Sequence, residues 1–404
     1  MKALVSIITV NYNGLRDTCE MIDSFRSRET YPRYEIIVVD NGSRLPEAEE
    51  IQERYRDNPV PGGSLSGSPV SFPPVKVVRN INNGFAGGNN AGLKAAEGDY
   101  LFFINNDTLI KEPVLDALVR RIESDSPRNG GVSPMLKFAA RPDTLQYAGF
   151  TPLSPVTLRN SAIGFMQQDS PRFRIPRETA SLHGAAMMVS RRALQDAGTM
   201  SEVYFLFYEE LDWSAQLRKA GYRLWYEPAA VVYHKEGMTA RRGSPTREFY
   251  LSRARMLFAR RNLRGIGKYL SCAYLCILAA PKKAAVYLLH GQVALAKATI
   301  CGTCEGIYKN SRTVLGIRGR NQVHDERAGY RRNHQADNLP DVQVGHESQL
   351  QGKRRTDSRR TPHRSRETSK GKGERVEKSR NYTSFNLLTV SKYFQTVLHC
   401  NTTA

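Results

Sequence analysis

The chain has 404 residues, which is enough for two or three domains, and 40% of them are hydrophobic, so most of the chain can bury a core. Lys and Arg total 59 against 39 for Asp and Glu, a formal charge of +20 that excludes an acidic solvating protein and favours an anionic partner. The six cysteines are too few for a disulfide scaffold and indicate a reducing compartment.

The N-terminal segment is apolar and β-branched from Leu4 to Tyr12, and it continues into polar residues without a small-residue cleavage site. It therefore predicts a buried strand, not a signal peptide. Similar runs at 34–40, 75–78 and 100–104 alternate with helical patterns at 15–26, 47–55, 90–97 and 114–122. Near-continuous apolar strands separated by short helices predict an α/β domain with a parallel sheet covered on both faces.

The same alternation returns in the middle of the chain. It predicts a strand at 182–190, a helix at 191–197 ended by Gly198, a helix at 209–220 ended by Gly221, and a strand at 222–233. The α/β domain is therefore expected to cover residues 1–260. Segment 58–74 is rich in Pro, Gly and Ser and predicts a surface insertion.

The region from 261 to 317 has a different composition. Two apolar stretches, 269–280 and 284–300, are separated by Pro281-Lys282-Lys283, and neither has about 18 uninterrupted apolar residues, so no transmembrane helix is predicted. Apolar stretches bordered by cations suit helices that lie in the headgroup region of an anionic membrane, and a helical subdomain packed on the core is the alternative. Residues 318–404 are polar and basic and predict a disordered tail.

Polar residues lie at the ends of three predicted strands. They are Thr9 and Asn11, the segment 40–43, and the segment 105–108. Ligands bind beyond the carboxyl ends of strands in open α/β sheets, and carboxylates at such ends are suitable ligands for a divalent ion. Each of these residues alone is more often a turn former. No glycine motif of a dinucleotide-binding or P-loop site follows the first strand.

A glycine- and asparagine-rich segment, 82–90, precedes the helix predicted at 90–97. Glycines allow backbone amides to approach an anion, and a helix N-terminus adds partial positive charge. Taken alone, the segment is more typical of an ordinary turn.

Taken in order, these segments resemble a family 2 glycosyltransferase with the GT-A fold, of the subgroup called rhamnosyltransferase-like. The matching segments are VNYNG (10–14), VDNGS (39–43), NGFAGGNN (83–90), FINNDT (103–108), GAAMMV (184–189), FYEELD (207–212), RKAGY (218–222) and VYH (232–234). They extend over roughly residues 3–265. The resemblance implies a Rossmann-like, mostly parallel sheet with helices on both faces.

The resemblance also implies a nucleotide-sugar site with a divalent metal ion, Mg²⁺ or Mn²⁺. The residues implied to bind the donor are Thr9, Asn11, Asp40, Gly87, Asn90, Asn105 and Asn106, with Asp40 at the base. The segment 105–107 occupies the family's Asp-x-Asp position with Asn in place of the first Asp, so Asp107 would be the main carboxylate ligand. His234 would complete the metal or diphosphate site. The metal would neutralise charge on the departing nucleoside diphosphate.

The catalytic carboxylates are implied at the start of the helix predicted at 209–220. Glu209-Glu210 matches a pair usually written Glu-Asp, whose second member is the base, so Glu210 would take the proton of the acceptor hydroxyl in an inverting displacement. The change from Asp to Glu leaves Glu209 open as well. Asp212 is the third acid, and clustered carboxylates raise one another's pKa, which suits a base. An acidic helix N-terminus stabilised by the helix dipole is the alternative interpretation.

The resemblance thus implies an inverting, metal-dependent glycosyltransferase that moves a sugar from a nucleotide-diphosphate sugar, dTDP-rhamnose by the subgroup name, to a hydroxyl of a lipid-linked or polysaccharide acceptor at the cytoplasmic face of a membrane. A basic nucleic-acid-binding protein and an inactive scaffold are the alternatives.

Two groups of residues have more than one interpretation. A basic cluster would contact an acceptor diphosphate or lipid headgroups, or form a solvated face, and comprises Arg241, Arg242, Arg247, Arg253 and Arg255. Four cysteines have zinc-like spacing but an apolar context that favours packing: Cys272, Cys276, Cys301 and Cys304.

Overall fold

A computed structural model describes residues 2–56, 73–124, 127–235 and 243–308. Most of the predicted insertion at 58–74, the residues Arg241 and Arg242, and the whole of the predicted tail at 318–404 lie outside these ranges.

Strands and helices are interspersed up to residue 234, and the described elements after it are helical. The strands are β1 (Val5–Asn11), β2 (Tyr34–Asp40), β3 (Val75–Arg79), β4 (Tyr100–Ile104), β5 (Thr108–Ile110), β6 (Asn129–Phe138), β7 (Arg141–Tyr147), β8 (Arg177–Glu178), β9 (Ala186–Ser190) and β10 (Arg223–His234). The helices are α1 (Leu15–Arg28), α2 (Glu47–Arg54), α3 (Gly84–Ala95), α4 (Leu115–Glu123), α5 (Arg191–Ala197), α6 (Glu209–Lys219), α7 (Pro245–Asn262), α8 (Gly265–Ala273), α9 (Ala280–Leu289) and α10 (Val293–Tyr308), with a π-helical segment (Tyr274–Ala279) between α8 and α9.

The strands form one mixed sheet in the order β3-β2-β1-β4-β9-β6-β10-β5. β3, β2, β1 and β4 are parallel, β6 and β10 form a second parallel pair, and β9 joins the two groups in the antiparallel direction. Three further antiparallel strands extend the sheet, because β5 and β8 pair with β10 and β7 pairs with β6. The carboxyl ends of β1, β2 and β4 therefore meet at one edge.

Both faces of the sheet are covered by helices. Ile7 and Phe102 pack with Phe25 of α1 and Leu118 of α4 in one apolar core. On the opposite face, α3, α5 and α6 contribute to the second core, whose largest side chain is Trp213. The predicted α/β class and the mostly parallel sheet with helices on both faces are confirmed.

Most of the glycine-rich segment 82–90 lies within α3. The sequence had suggested that this segment precedes the helix. α3 begins at Gly84, and its glycines allow the helix to approach the sheet closely. A Cβ atom on Gly92 would lie 2.6 Å from Cγ2 of Ile8, and one on Gly88 would lie 2.9 Å from Cγ1 of Val10. These two glycines therefore permit close packing of the helix on the sheet.

The last helices also differ from the prediction. Residues 265–289 form one continuous helix, and among the described residues it is long and apolar enough to cross a membrane, so the expectation of two separate short stretches is wrong. Pro281 lacks a backbone N–H and would clash with a carbonyl one turn earlier in a regular α-helix. The π-helical segment ending at Ala279 changes the hydrogen-bonding register just before this proline, which allows the helix to continue.

Small residues bring α10 onto α7. A Cβ atom on Gly302 would lie 2.2 Å from the carbonyl oxygen of Phe249, and one on Gly306 would lie 2.7 Å from the carbonyl oxygen of Arg253. Two glycines four positions apart lie on one helix face and permit backbone-to-backbone approach. The predicted boundary at residue 260 falls in the last turn of α7.

Candidate active site

The tips of β1 and β2 are joined by side-chain hydrogen bonds around Asn11. Asn11 pairs in register with Asp40, and its Nδ2 lies 3.1 Å from Oδ1 of Asp40 and 2.7 Å from Oε2 of Glu47. The hydroxyl of Ser43 donates to the same Asp40 oxygen. The Asp40 carboxylate is thus fixed by neutral donors at the sheet edge.

The same network reaches the segment after β4. Oγ1 of Thr18 donates to Oδ1 of Asn11 at 2.7 Å, and Nδ2 of Asn106 donates to Oγ1 of Thr18 at 3.0 Å. Gly14 leaves the space for this contact, since a Cβ atom there would lie 2.6 Å from Nδ2 of Asn106. Asn11, Asp40 and Asn106 therefore belong to one connected wall.

Asp107 lies against His234. The antiparallel pairing of β5 with β10 sets His234 opposite Thr108, so that Nε2 of His234 lies 3.2 Å from Oδ1 of Asp107. Nδ1 of His234 lies 2.9 Å from Oε1 of Gln146 on β7, and both side chains are nearly buried. An acceptor oxygen on Nδ1 orients the ring and leaves Nε2 towards the carboxylate.

The donor set of this pair fits a divalent ion that also binds phosphate. One carboxylate and one imidazole make only two protein ligands, and the described residues contain no group of three His, Cys, Asp or Glu side chains that could hold a metal. Mg²⁺ is commonly held by one or two carboxylates together with substrate phosphates, and Mn²⁺ also favours oxygen ligands. Asp107 and His234 thus suit an ion whose remaining ligands come from a diphosphate.

The two glutamates follow a strained turn. Phe207 and Tyr208 have φ values of 69° and 71°, a left-handed conformation that is costly for bulky side chains. α6 then begins at Glu209, which is buried, whereas Glu210 is partly exposed. Burial, reinforced by the charge of Glu210, raises the pKa of Glu209, and burial also raises the pKa of Glu210.

A turn before β9 connects the glutamates to the strand tips. A Cβ atom on Gly184 would lie 3.6 Å from Cγ of Glu210, so the Glu210 side chain lies directly over Gly184. The next residue, Ala185, accepts a hydrogen bond of 2.9 Å from the backbone N–H of Asn105. Glu210 therefore lies beside the segment that carries Asp107.

Two residues of this neighbourhood were not identified from the sequence. His183 stacks on Phe150 with parallel rings, and burial, with a smaller effect from the charge of His234, lowers its pKa to about 3. Its Nδ1 accepts from the backbone N–H of Ala185. The adjacent glycine motif is the signal that could have indicated His183. Gln146 has no such signal, because it reaches His234 only through the pairing of β7 with β6.

Asp212, the third acid predicted from the sequence, is enclosed in a polar cluster and does not line the surface beside Glu210. It is 1% exposed, and its carboxylate accepts hydrogen bonds from Tyr204, Arg261 and Asn262. Two positions along a helix correspond to about 200° of rotation, so Asp212 and Glu210 lie on different faces of α6.

Three of the predicted donor-binding residues are enclosed. Thr9 is fully buried in β1, on the face that packs against α1, and its hydroxyl has no hydrogen-bond partner among the described residues. Gly87 is buried within α3, where a Cβ atom would collide with Asn83. Asn90 donates to the carbonyl of Met200 and to Glu202, each at 2.9 Å. Gly87 and Asn90 therefore belong to a helix that supports the chain leading to Glu209.

The residues of the predicted basic cluster have different surroundings. Arg253 is buried and lies 3.0 Å from Glu305, so it does not face an acceptor. Arg247 lies over the ring of Phe207 at 5.3 Å. The described cysteines form no disulfide, and burial raises the pKa of Cys276 to about 11, as expected for cysteines that pack as small apolar residues.

Comparison with known proteins gives a consistent set of relatives. Residues 6–198 match the family model described as glycosyl transferase family 2. The chain is 24% identical over 250 residues to the O-antigen biosynthesis protein RfbC of Myxococcus xanthus, an alignment covering 58% of this chain and 17% of that protein. It is 25% identical over 243 residues to the pre-mycofactocin glycosyltransferase of Mycobacterium tuberculosis, covering 59% of this chain and 44% of the relative. The chain thus spans less than half the length of these curated relatives.

Solved structures with similar architecture include TarS 1–349 of S. aureus, with a TM-score of 0.48 and 16% identity over 75% of this chain and 80% of that one. The mannosyltransferase PcManGT from Pyrobaculum calidifontis, in complex with GDP-Man and Mn²⁺, has a TM-score of 0.45 and 16% identity, covering 76% of this chain and 88% of the other.

Proposed function

The chain belongs to glycosyl transferase family 2, and from that membership we propose that it transfers a sugar from a nucleotide diphosphate sugar to an acceptor hydroxyl with inversion at the anomeric carbon. The mixed sheet with helices on both faces is the GT-A arrangement that the family resemblance implies. The observation that carries the proposal is the position of Glu210 over Gly184, next to the segment that holds the Asp107–His234 pair.

The donor is proposed to lie along the wall formed by the tips of β1, β2 and β4. Asp40, held by Asn11 and Ser43, can accept hydrogen bonds from the base or the ribose. Asn105 and Asn106 line the path towards Asp107. Mg²⁺ or Mn²⁺ held by Asp107 and His234 would neutralise the charge of the departing nucleoside diphosphate.

Glu210 is proposed as the general base and Glu209 as its buried neighbour. The acceptor oxygen forms a bond to the anomeric carbon, the bond from that carbon to the phosphate oxygen breaks, and the acceptor proton passes to the Glu210 carboxylate. Glu210 is the better candidate because it is partly exposed, whereas Glu209 is enclosed. A raised pKa brings the base closer to neutral pH and makes it a stronger proton acceptor.

The acceptor is proposed to be a lipid-linked or polysaccharide precursor. The name of the RfbC relative, an O-antigen biosynthesis protein, supports a polysaccharide product. The rhamnosyl subgroup suggests dTDP-rhamnose as one donor, and UDP- and GDP-sugars are the alternatives to compare with it.

A donor screen tests this function. The full chain is titrated with UDP-, GDP- and dTDP-sugars in the presence of Mn²⁺, and binding is followed by calorimetry. We expect one nucleotide to bind at least about tenfold more tightly than the others and to be hydrolysed slowly without acceptor. Absence of both binding and hydrolysis with every donor would contradict the proposal, and binding without hydrolysis or transfer would favour the inactive scaffold.

A further inference from the structure

The helix at 265–289 presents a row of large apolar side chains to solvent. Ile277 is 70% exposed and Leu289 is 85% exposed. The row, called here the apolar helical face, consists of Ile266, Tyr269, Leu270, Ile277, Leu278, Val286, Leu288 and Leu289. Most of these residues recur at intervals of three or four, as expected for one side of a helix. Soluble monomers rarely expose so large a continuous apolar patch without a partner.

The opposite side of the same helix is fixed to the protein. Leu275 and Ala284 are buried, and Nζ of Lys283 lies 2.7 Å from Oε1 of Glu248 on α7. Tyr287 and Thr299 donate to the same carboxylate at 3.1 Å each. A helix crossing a bilayer here would carry the buried Glu248 carboxylate and its partner Lys283 into the hydrocarbon region, at a high cost in free energy. The helix is therefore placed to lie along a membrane surface and not to cross it.

The charges around the apolar helical face favour an anionic partner. Residues 249–304 contain nine Lys and Arg residues and no Asp or Glu. Arg264 and Lys282 are exposed at the start and middle of the helix, and Lys268 is half-buried in its first turns. Cations next to an anionic leaflet strengthen attachment, and the apolar side chains then bury into the boundary between headgroups and acyl chains.

A shallow groove opens beside the same face. It has a volume of about 340 Å³, and its lining includes the apolar residues Met256, Ile277 and Ile307 and the cations Arg260 and Lys268. A mainly apolar groove that includes cations in its lining suits an acyl chain attached to an anionic headgroup.

The helical region shares one core with the chain that carries the glutamates. Tyr208 and Leu211, on either side of Glu209 and Glu210, pack in the cluster that contains Leu275 and Phe258. The rings of Tyr208 and Phe258 are 5.6 Å apart. The apolar helical face is therefore attached through a few packed side chains to the start of α6.

We propose that the apolar helical face docks on an anionic lipid bilayer with the helix parallel to the membrane plane, and that the site at Glu210 acts on an acceptor held in that bilayer. The second part rests on the proposed function. The first part rests on the exposed apolar row, the cations beside it and the ionic cluster that keeps the helix on the protein.

Vesicle binding tests the docking. The full chain is mixed with vesicles of phosphatidylcholine alone or with an equal part of phosphatidylglycerol, in about 0.5 M NaCl so that attraction by distant basic residues is screened. Ile277→Glu is compared with Ile175→Glu, whose parent side chain is 62% exposed outside the helical region. We expect Ile277→Glu to lower binding to the anionic vesicles at least about tenfold, and Ile175→Glu to leave it unchanged. Thermal unfolding of both variants establishes that they fold.

Three results would overturn the docking. They are equal binding of the Ile277→Glu variant and the parent, retention of the parent on vesicles after alkaline carbonate extraction, and a dimer in solution that Ile277→Glu dissociates while vesicle binding is absent. A second measurement separates docking from catalysis. Hydrolysis of a water-soluble donor by Ile277→Glu should equal that of the parent, while transfer to an acceptor embedded in vesicles should fall about tenfold. Equal transfer by both would overturn the link to the acceptor, and docking without hydrolysis or transfer by the parent would contradict only the proposed function.

Discussion

The carboxylate of Asp107 and the imidazole of His234 lie 3.2 Å apart, brought together by the antiparallel pairing of a three-residue strand with the end of β10. Gln146 lies on the far side of the imidazole, with its Oε1 2.9 Å from Nδ1, and this contact orients the ring so that Nε2 faces the carboxylate. A carboxylate oxygen and an imidazole nitrogen at this distance can both be ligands of one divalent cation.

Asp107→Asn should weaken metal-dependent donor binding. Loss of the charged ligand is expected to reduce the affinity for Mn²⁺ in the presence of a nucleoside diphosphate by about tenfold or more. Calorimetric titration of Mn²⁺ measures this, with Asp143→Asn, an exposed aspartate on β7, as the matched control. Affinity within about twofold of the parent for Asp107→Asn would remove this residue from the metal site.

Glu210→Gln should abolish transfer and retain donor binding. The amide cannot accept the acceptor proton, so turnover is expected to fall about 10²-fold or more. Product formation under donor saturation gives the rate, and calorimetry gives the affinity. If Glu209→Gln loses turnover to this extent while Glu210→Gln does not, the two assignments must be exchanged.

Asp212→Asn should affect stability more than catalysis. The substitution removes the charge that faces Arg261 and weakens a buried cluster, which is expected to lower the free energy of unfolding by about 2 kcal/mol. Urea unfolding measures the loss, and turnover is assayed well below the melting temperature. A loss of turnover comparable to that of Glu210→Gln, with unchanged stability, would instead support the role of a catalytic acid for Asp212.

Glu209→Gln should stabilise the protein at alkaline pH. Burial and the charge of Glu210 raise the pKa of Glu209 in the folded state, so between its ordinary value of 4.5 and the raised value the folded state binds more protons than the unfolded state. Stability therefore falls as pH rises through this window. The amide of the Glu209→Gln variant does not ionise. The difference in free energy of unfolding between this variant and the parent should therefore change in favour of the variant by about 1 kcal/mol or more from about pH 5 to about pH 8.

Thermal unfolding across that pH range measures the difference, with the exposed Glu112→Gln as the control. A constant difference between the Glu209→Gln variant and the parent at all pH values would show that Glu209 ionises normally.

Gly302→Ala should separate α10 from α7. The added methyl group would lie 2.2 Å from the carbonyl of Phe249, a contact that backbone cannot relieve without moving the helix. We expect the free energy of unfolding of Gly302→Ala to fall by about 2 kcal/mol or more. Gly267→Ala is the matched control, since nothing lies within 4 Å of a Cβ atom there and alanine favours a helix. Equal stability of the two variants, measured by urea unfolding, would contradict the close packing.

The parallel half of the sheet could be read from the sequence because each strand is a continuous apolar run. β2 and β4 have the predicted bounds. β6 was not predicted, although all ten of its residues are buried, because it contains Pro134 and Lys137. Lys137 is tolerated there through an ion pair of 2.7 Å with Asp169 from a distant loop. The sequence pattern around β6 does not reveal that a residue so distant along the chain will form an ion pair with Lys137.

The candidate site was likewise identified only in part from the sequence. Asp107, Glu210 and His234 were identified by their motifs, and the structure brings their segments together. Gln146 was not identified, because its contact with His234 exists only once β7 has paired. Asp212 was assigned to catalysis because spacing along the chain does not reveal that Arg261 arrives from α7 to bind it.

The left-handed turn at Phe207 and Tyr208 limits how this chain can vary. Glycine or asparagine would adopt these backbone angles with less strain, but either would remove a ring that packs beside α7. Valine or isoleucine would retain apolar contact and oppose the turn. Directed evolution of acceptor preference should therefore leave these two aromatic positions unchanged and accumulate its substitutions on the neighbouring surface.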